Sequence, residues 1–122
     1  MLPWISIETS PTGTARPCCL AVDEITKPDG SKYSLREHTL EEIYHSEYMQ
    51  DLRQQFLNGE KPAGCNMCWQ EESVLGRMSK RKATFVKLKN VQTDYTEAGV
   101  SPVFLDLKLG NICNLKCRIC GS

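Results

Sequence analysis

The sequence lacks several features that would point to a membrane or to a polyanionic partner. It has no run of about 18 apolar residues, the length that a transmembrane helix requires, so we expect no membrane partner. Its 15 basic residues balance its 15 acidic ones, so a nucleic-acid partner is not indicated. Its first residues lack the basic segment and the apolar stretch of a signal peptide, which predicts a cytoplasmic protein.

Cysteine, by contrast, is abundant, with seven among the 122 residues. In a reducing compartment, cysteines at short spacings are typical of metal or cluster ligands rather than of disulfides, and an odd number cannot all pair. Four fall in the first part of the chain and three near its end. We therefore predict a unit at 1–89, a polar linker at 90–101 and the start of a second domain at 102–122.

Turn-forming residues separate the predicted strands. Residues 4–9 alternate apolar and polar side chains, which predicts a strand. The Ser-Pro-Thr-Gly sequence at 10–13 favours a turn, and a returning strand at 16–22 would complete a hairpin. A second turn is expected at 28–31, and the apolar run at 103–109 predicts the last strand.

Helix signals occupy the middle of the chain. Thr39 and Glu42 have the spacing of a capping box, and apolar residues then recur at helical spacing as far as Leu57. Ser46 could start a second helix after a kink, and Asn58-Gly59 favours the end. A further helix is predicted at 70–86. The stretch 77–89 has six basic residues and no acidic one, which could face a polyanion or an acidic substrate but is more typical of a solvated helix face.

The three last cysteines form the first candidate site. Cys113, Cys117 and Cys120 have a Cys-x3-Cys-x2-Cys spacing directly after the last predicted strand. Three thiolates on one short loop can bind three irons of a four-iron cluster and leave the fourth open to a substrate or cofactor. The alternatives are a zinc site completed by a distant residue and a chance spacing.

The other four cysteines form the second candidate site. The pair Cys65 and Cys68, joined to Cys18 and Cys19 on the hairpin, indicates a metal centre, although a Cys-x2-Cys pair is also typical of redox proteins. Adjacent cysteines in a strand point to opposite faces. Cys19 is the preferred ligand if Leu20 and Val22 lie on the core face, and the choice stays open.

The segment 107–120 resembles the first barrel strand and cluster loop of radical S-adenosylmethionine enzymes. The resemblance implies a catalytic [4Fe-4S] cluster, S-adenosylmethionine as cofactor, and an electron donor such as a flavodoxin or a ferredoxin. Ile119 stands where the family has an aromatic residue near the adenine and would keep the apolar contact. In such enzymes the reduced cluster cleaves S-adenosylmethionine to a 5′-deoxyadenosyl radical, which abstracts a hydrogen from a peptide or a small-molecule substrate.

The first unit resembles twitch domain-containing radical S-adenosylmethionine proteins, including phage examples, and the related SPASM units. The matching residues are Pro3-Trp4, Gly13, Arg16-Pro17-Cys18-Cys19, Leu52-Arg53, residues 56–60, Pro62, Cys65, Cys68-Trp69, Glu72, Gly76, Ser79 and Arg81. The resemblance implies an auxiliary [4Fe-4S] cluster on these cysteines. Family members often have a further cysteine just before the Pro-Trp pair, where this chain has Met1-Leu2, so the fourth ligand is left open.

Together these features predict an α+β fold, in which a small hairpin-plus-helix twitch/SPASM-like unit precedes the first strand of a truncated radical S-adenosylmethionine (β/α) barrel. We expect an enzyme in the full-length form, no activity from this chain alone, and a last strand without partners. Trp4 and Trp69 are expected to shield a cluster from water. Two alternatives remain: a zinc-binding interaction module that uses Cys18, Cys19, Cys65 and Cys68, and a ferredoxin-like electron carrier.

Overall fold

The computed structural model of the chain describes residues 2–74, 77–88, 90, 99 and 101–110, and these form a small mixed α+β fold. Three strands, β1 (Ser6–Thr9), β2 (Ala15–Arg16) and β3 (Phe104–Leu107), make one sheet. Four α-helices are described: α1 (Leu40–Tyr44), α2 (Glu47–Leu57), α3 (Asn66–Val74) and α4 (Lys80–Leu88). Short 3₁₀ helices cover Leu2–Trp4 and Ala63–Cys65. The α+β class is therefore confirmed.

The sheet has the order β2-β1-β3. The predicted hairpin joins β1 to β2, and Gly13 at its turn has a φ of 93°, a conformation that favours glycine. β3 pairs in parallel with β1 from Ser6 opposite Phe104 to Thr9 opposite Leu107. The expectation that the last strand has no partner is therefore wrong. β3 pairs with the edge of β1 that β2 does not cover. This pairing supplies hydrogen-bond partners for backbone N–H and C=O groups of the buried strand β1.

The central strand β1 is buried along its whole length, including its polar residues. Glu8 is 1% exposed, and its Oε1 lies 2.5 Å from Nζ of Lys108, just past β3. Glu8 also pairs in register with Arg16 on one side and with Asp106 on the other. The sheet thus places one ionic row across all three strands, because side chains at paired positions share a face.

The helix signals in the middle of the chain are confirmed. The Thr39 hydroxyl accepts the N–H of Glu42, and the Glu42 carboxylate accepts the N–H of Thr39, so the capping box is complete. The chain then kinks at Ser46, which caps α2. After α2, Gly59 adopts a φ of 77°, which no ordinary side chain favours.

Two predicted elements are shorter than expected. The returning strand ends at Arg16, because the chain turns at once and the N–H of Ala21 donates to the carbonyl of Cys18. The helix predicted at 70–86 is two helices, since residues 77–79 are not helical. Ser79 begins α4 as a cap: its hydroxyl accepts the N–H of Lys82, 3.2 Å away.

A buried arginine attaches α2 to the N-terminal 3₁₀ helix. Arg53 is 5% exposed and donates to the carbonyls of Pro3 (3.0 Å) and Tyr44 (2.7 Å). Its guanidinium also stacks on the Tyr44 ring, and the Tyr44 hydroxyl donates to the carbonyl of Trp4. These bonds fix Leu2 and Pro3, which line the cavity described below.

Within the described residues, no helix is both long and apolar enough to cross a membrane. The division at 1–89, 90–101 and 102–122 stays a prediction. The structure adds that a strand of the third segment completes the sheet of the first.

Candidate iron–sulfur site

Two chain segments bring three thiols to one place. Cys18 lies in the turn after β2, Cys65 ends a 3₁₀ helix, and Cys68 follows in the first turn of α3. The N–H of Val22 donates to the carbonyl of Gly64 over 3.2 Å, which holds the two segments side by side. We call Cys18, Cys65 and Cys68 the auxiliary thiols.

The auxiliary thiols line a common cavity whose remaining wall is almost wholly apolar. The other lining residues are Leu2, Pro3, Pro17, Leu20, Phe56 and Arg81. Ser6 of β1 donates its hydroxyl to the carbonyl of Pro17 over 2.8 Å and so fixes the chain just before Cys18. Soft sulfur donors in an apolar wall are the environment in which proteins bind iron–sulfur clusters.

Burial is the main electrostatic influence on two of these thiols. Together with the neighbouring Cys18 and Cys68, and against the positive charge of Arg81, burial raises the pKa of Cys65 to about 12. Burial also raises the pKa of Cys18, with Cys19 and Cys68 adding to the effect. Without a metal, Cys18 and Cys65 therefore stay protonated near neutral pH, and binding iron must displace their protons.

The structure does not bring Cys19 to this cavity. Burial raises its pKa, the nearby Lys80 lowers it, and a hydrogen bond with Asp106 of β3 raises it. The condition that favoured Cys19 is not met, since Val22 is 64% exposed and Leu20 lines the cavity with Cys18. Because the strand ends before both cysteines, the alternation of strand faces does not apply to them.

Aromatic side chains stand behind the cavity. Phe56 lines it, and the rings of Trp4 and Trp69 pack against Phe56 at centroid distances of 6.3 and 5.8 Å. The indole N–H of Trp69 donates to the carbonyl of Pro62, three residues before Cys65. The two tryptophans thus lie one layer behind the cavity wall, where they support Phe56 rather than line the cavity themselves.

Arg81 is the residue whose position the sequence pattern did not reveal. The basic run was assigned to a solvated face, but the Arg81 side chain is only 19% exposed and lines the cavity. Its guanidinium makes an ion pair with Glu72 and lies 4.4 Å from the centre of the Trp69 ring. The sequence contained one signal for this contact, namely an acidic and a basic residue a short distance apart. Because the helix breaks between Glu72 on α3 and Arg81 on α4, the two side chains can face each other.

The described side chains are not arranged around a single metal ion, zinc included. A tetrahedral zinc site, with Zn–S bonds of about 2.3 Å, places its sulfur atoms about 3.8 Å apart. Among the described residues, no group of three Cys, His, Asp or Glu side chains is arranged to hold a metal ion. The four-cysteine zinc alternative also requires Cys19, which faces Asp106 instead.

The other candidate site lies outside the described residues. Cys113, Cys117 and Cys120, together with Ile119, belong to the segment 111–122. The described part of the chain ends at Gly110, three residues after β3.

An α+β fold with thiols gathered in one apolar cavity defines a domain of the cluster-binding class. The chain belongs to the SPASM family, described as an iron–sulfur cluster-binding domain, whose family model matches residues 1–69. This match contains all of the auxiliary thiols and ends at Trp69. No curated protein and no solved structure matches the chain significantly.

The residues around the cavity fit a cluster in chemistry more closely than in size. Three thiols from two segments supply the donors, and no carboxylate lines the wall to compete with them. The cavity volume of about 20 Å³ holds about one water. An iron–sulfur cluster is larger than this volume, so the match between the site and a cluster is one of donor chemistry.

Proposed function

We propose that this chain is part of a radical S-adenosylmethionine enzyme and that its auxiliary thiols hold a [4Fe-4S] cluster. The main support for the auxiliary site is that Cys18, Cys65 and Cys68 line one apolar cavity in a chain that belongs to the SPASM family. The roles of this cluster would be electron transfer or substrate anchoring. The apolar wall would exclude water and thereby influence the reduction potential.

The second part of the proposal concerns the C-terminal thiols, by which we mean Cys113, Cys117 and Cys120. Their spacing supports a catalytic [4Fe-4S] cluster with one open iron for S-adenosylmethionine, and Ile119 would contact the adenine. When bound, this cofactor pair supplies the radical chemistry that abstracts a hydrogen from the substrate. A flavodoxin or a ferredoxin would supply the electron, and the substrate would be a peptide or a small molecule.

Metal and sulfide analysis of protein purified without oxygen tests both parts. We expect about eight irons and eight sulfides per chain, as two four-iron clusters require. Replacing all three auxiliary thiols with serine should remove about half of the iron, and so should the same change in the C-terminal thiols. Cys19→Ser is the matched control, because it removes a neighbouring thiol that does not line the cavity.

The response to S-adenosylmethionine separates an enzyme from an electron carrier. We expect added S-adenosylmethionine to change the electron paramagnetic resonance signal of the reduced protein, and to do so in the variant without auxiliary thiols. The variant without C-terminal thiols should not respond. Two clusters without any response would indicate a ferredoxin-like carrier, and one zinc without sulfide would overturn the proposal.

A further inference from the structure

Arg81 is held in place more firmly than a solvated helix residue needs to be. Its Nε lies 3.1 Å from Oε1 of Glu72, and its Nη2 pairs with the other oxygen of the same carboxylate. Glu72 is itself fixed, because the buried Ser79 donates its hydroxyl to Oε1. A two-point contact of this kind sets the orientation of the guanidinium plane as well as its position.

A second contact ties Arg81 to the segment that carries the thiols. The guanidinium carbon lies 4.4 Å from the centre of the Trp69 ring, a cation–π arrangement. Trp69 follows Cys68 directly and bonds to the carbonyl of Pro62. The cation therefore keeps a fixed relation to the Cys65 and Cys68 backbone.

Arg81 forms part of the cavity wall, whereas its ion-pair partner Glu72 is not among the lining residues. In agreement with this placement, Arg81 acts on the pKa of Cys65 in the direction expected of a nearby cation. The pair therefore places its cationic member, and not its carboxylate, in the wall that the thiols share.

We propose that the positive charge of Arg81 raises the reduction potential of the cluster on the auxiliary thiols. The inference rests on the proposed cluster. Reduction adds one electron to a cluster that already carries thiolate charge, and a nearby cation stabilises the more negative state. A largely buried cation acts more strongly than a solvated one, because little water screens it.

Arg81→Gln and Lys82→Gln form a matched pair for the test. Both remove one positive charge from α4, and both residues contact Glu72, since Nζ of Lys82 lies 3.7 Å from Oε2. Lys82, however, is 52% exposed and does not line the cavity. Arg81→Lys keeps the charge but loses the two-point contact.

The measurement is a redox titration of the full chain, followed by electron paramagnetic resonance. The C-terminal thiols are replaced with alanine so that one cluster is observed. We expect a lower potential for Arg81→Gln, an unchanged one for Lys82→Gln, and a smaller decrease for Arg81→Lys. If Arg81→Gln binds no cluster, the inference is tested by the Arg81→Lys variant alone, whose reduction potential should be lower than that of the parent.

Three results would overturn the inference. The potential of Arg81→Gln could equal that of the parent at full iron content, or Lys82→Gln could shift the potential as much as Arg81→Gln does. If Arg81→Gln binds no cluster, an unchanged reduction potential in Arg81→Lys would also overturn the inference. A parent chain without iron and sulfide would instead overturn the proposed function, and the iron content of the parent separates the two failures.

Discussion

The raised pKa of Cys65 predicts slow alkylation of this residue in the metal-free folded chain. With a pKa of about 12 against an ordinary value of 9.0, the thiolate fraction at pH 8 is about a thousandfold lower than in the unfolded chain. The thiolate of Cys65 in the folded chain is, however, more nucleophilic than in the unfolded chain because its pKa is higher. For a Brønsted slope of about 0.4–0.5 the difference is about 16- to 32-fold. The net expectation is a rate about 30- to 60-fold lower than in the unfolded chain.

The assay is iodoacetamide labelling at pH 8, with the modified cysteines identified by mass spectrometry at a series of times. Cys19 is the internal control, since its pKa is raised to a smaller extent and it should react faster than Cys65. The helical circular dichroism signal must be retained, and the same chain in denaturant supplies the reference rate. Equal rates for Cys65 in the folded and the unfolded chain would refute the reasoning.

The same shift fixes the direction of the pH dependence of stability. The pKa of Cys65 is higher in the folded than in the unfolded chain, so its stabilising effect is complete below about pH 9. It is lost as the pH rises towards 12. We therefore expect the metal-free chain to unfold at lower urea concentration at pH 10.5 than at pH 8, and no change over this range would contradict the buried thiol.

Three further predictions concern single residues. Thr39→Ala removes the capping hydroxyl and should cost about 1 kcal/mol in urea unfolding, and an unchanged midpoint would show that the cap contributes nothing. Arg53→Met leaves two carbonyls without their charged donor and should cost about 2–3 kcal/mol in thermal unfolding, and a variant as stable as the parent would contradict this role. Cys18→Ser should lower the iron content whereas Cys19→Ser should not, and the opposite result would exchange their roles.

Local signals in the sequence were sufficient for the elements in the middle of the chain. The capping box of Thr39 and Glu42, the restart at Ser46 and the end at Gly59 are each encoded within a few residues. Side-chain caps and left-handed glycines act on the adjacent backbone, so no tertiary information is required to find them. The turn at 10–13 was predictable for the same reason.

The features that depend on distant partners could not be predicted in this way. The pattern of β3 indicates a strand but not that β1 is its neighbour. The choice between Cys18 and Cys19 depends on where β2 ends and how the chain then turns. Arg81 appeared to be one of several solvated cations, because its ion pair with Glu72 forms only once α3 and α4 are separate helices.

The parallel pairing of β1 with β3 also determines the order in which the fold can form. Ile7 pairs with Leu105, so the central strand leaves the ribosome nearly a hundred residues before its second neighbour. Closing a loop of that length costs roughly 4 kcal/mol of chain entropy, so this contact forms late and slowly. Until then Glu8 lacks Lys108, the cation that neutralises it in the folded sheet. The hairpin and the helices can therefore form during synthesis, whereas burial of β1 must wait until β3 has emerged.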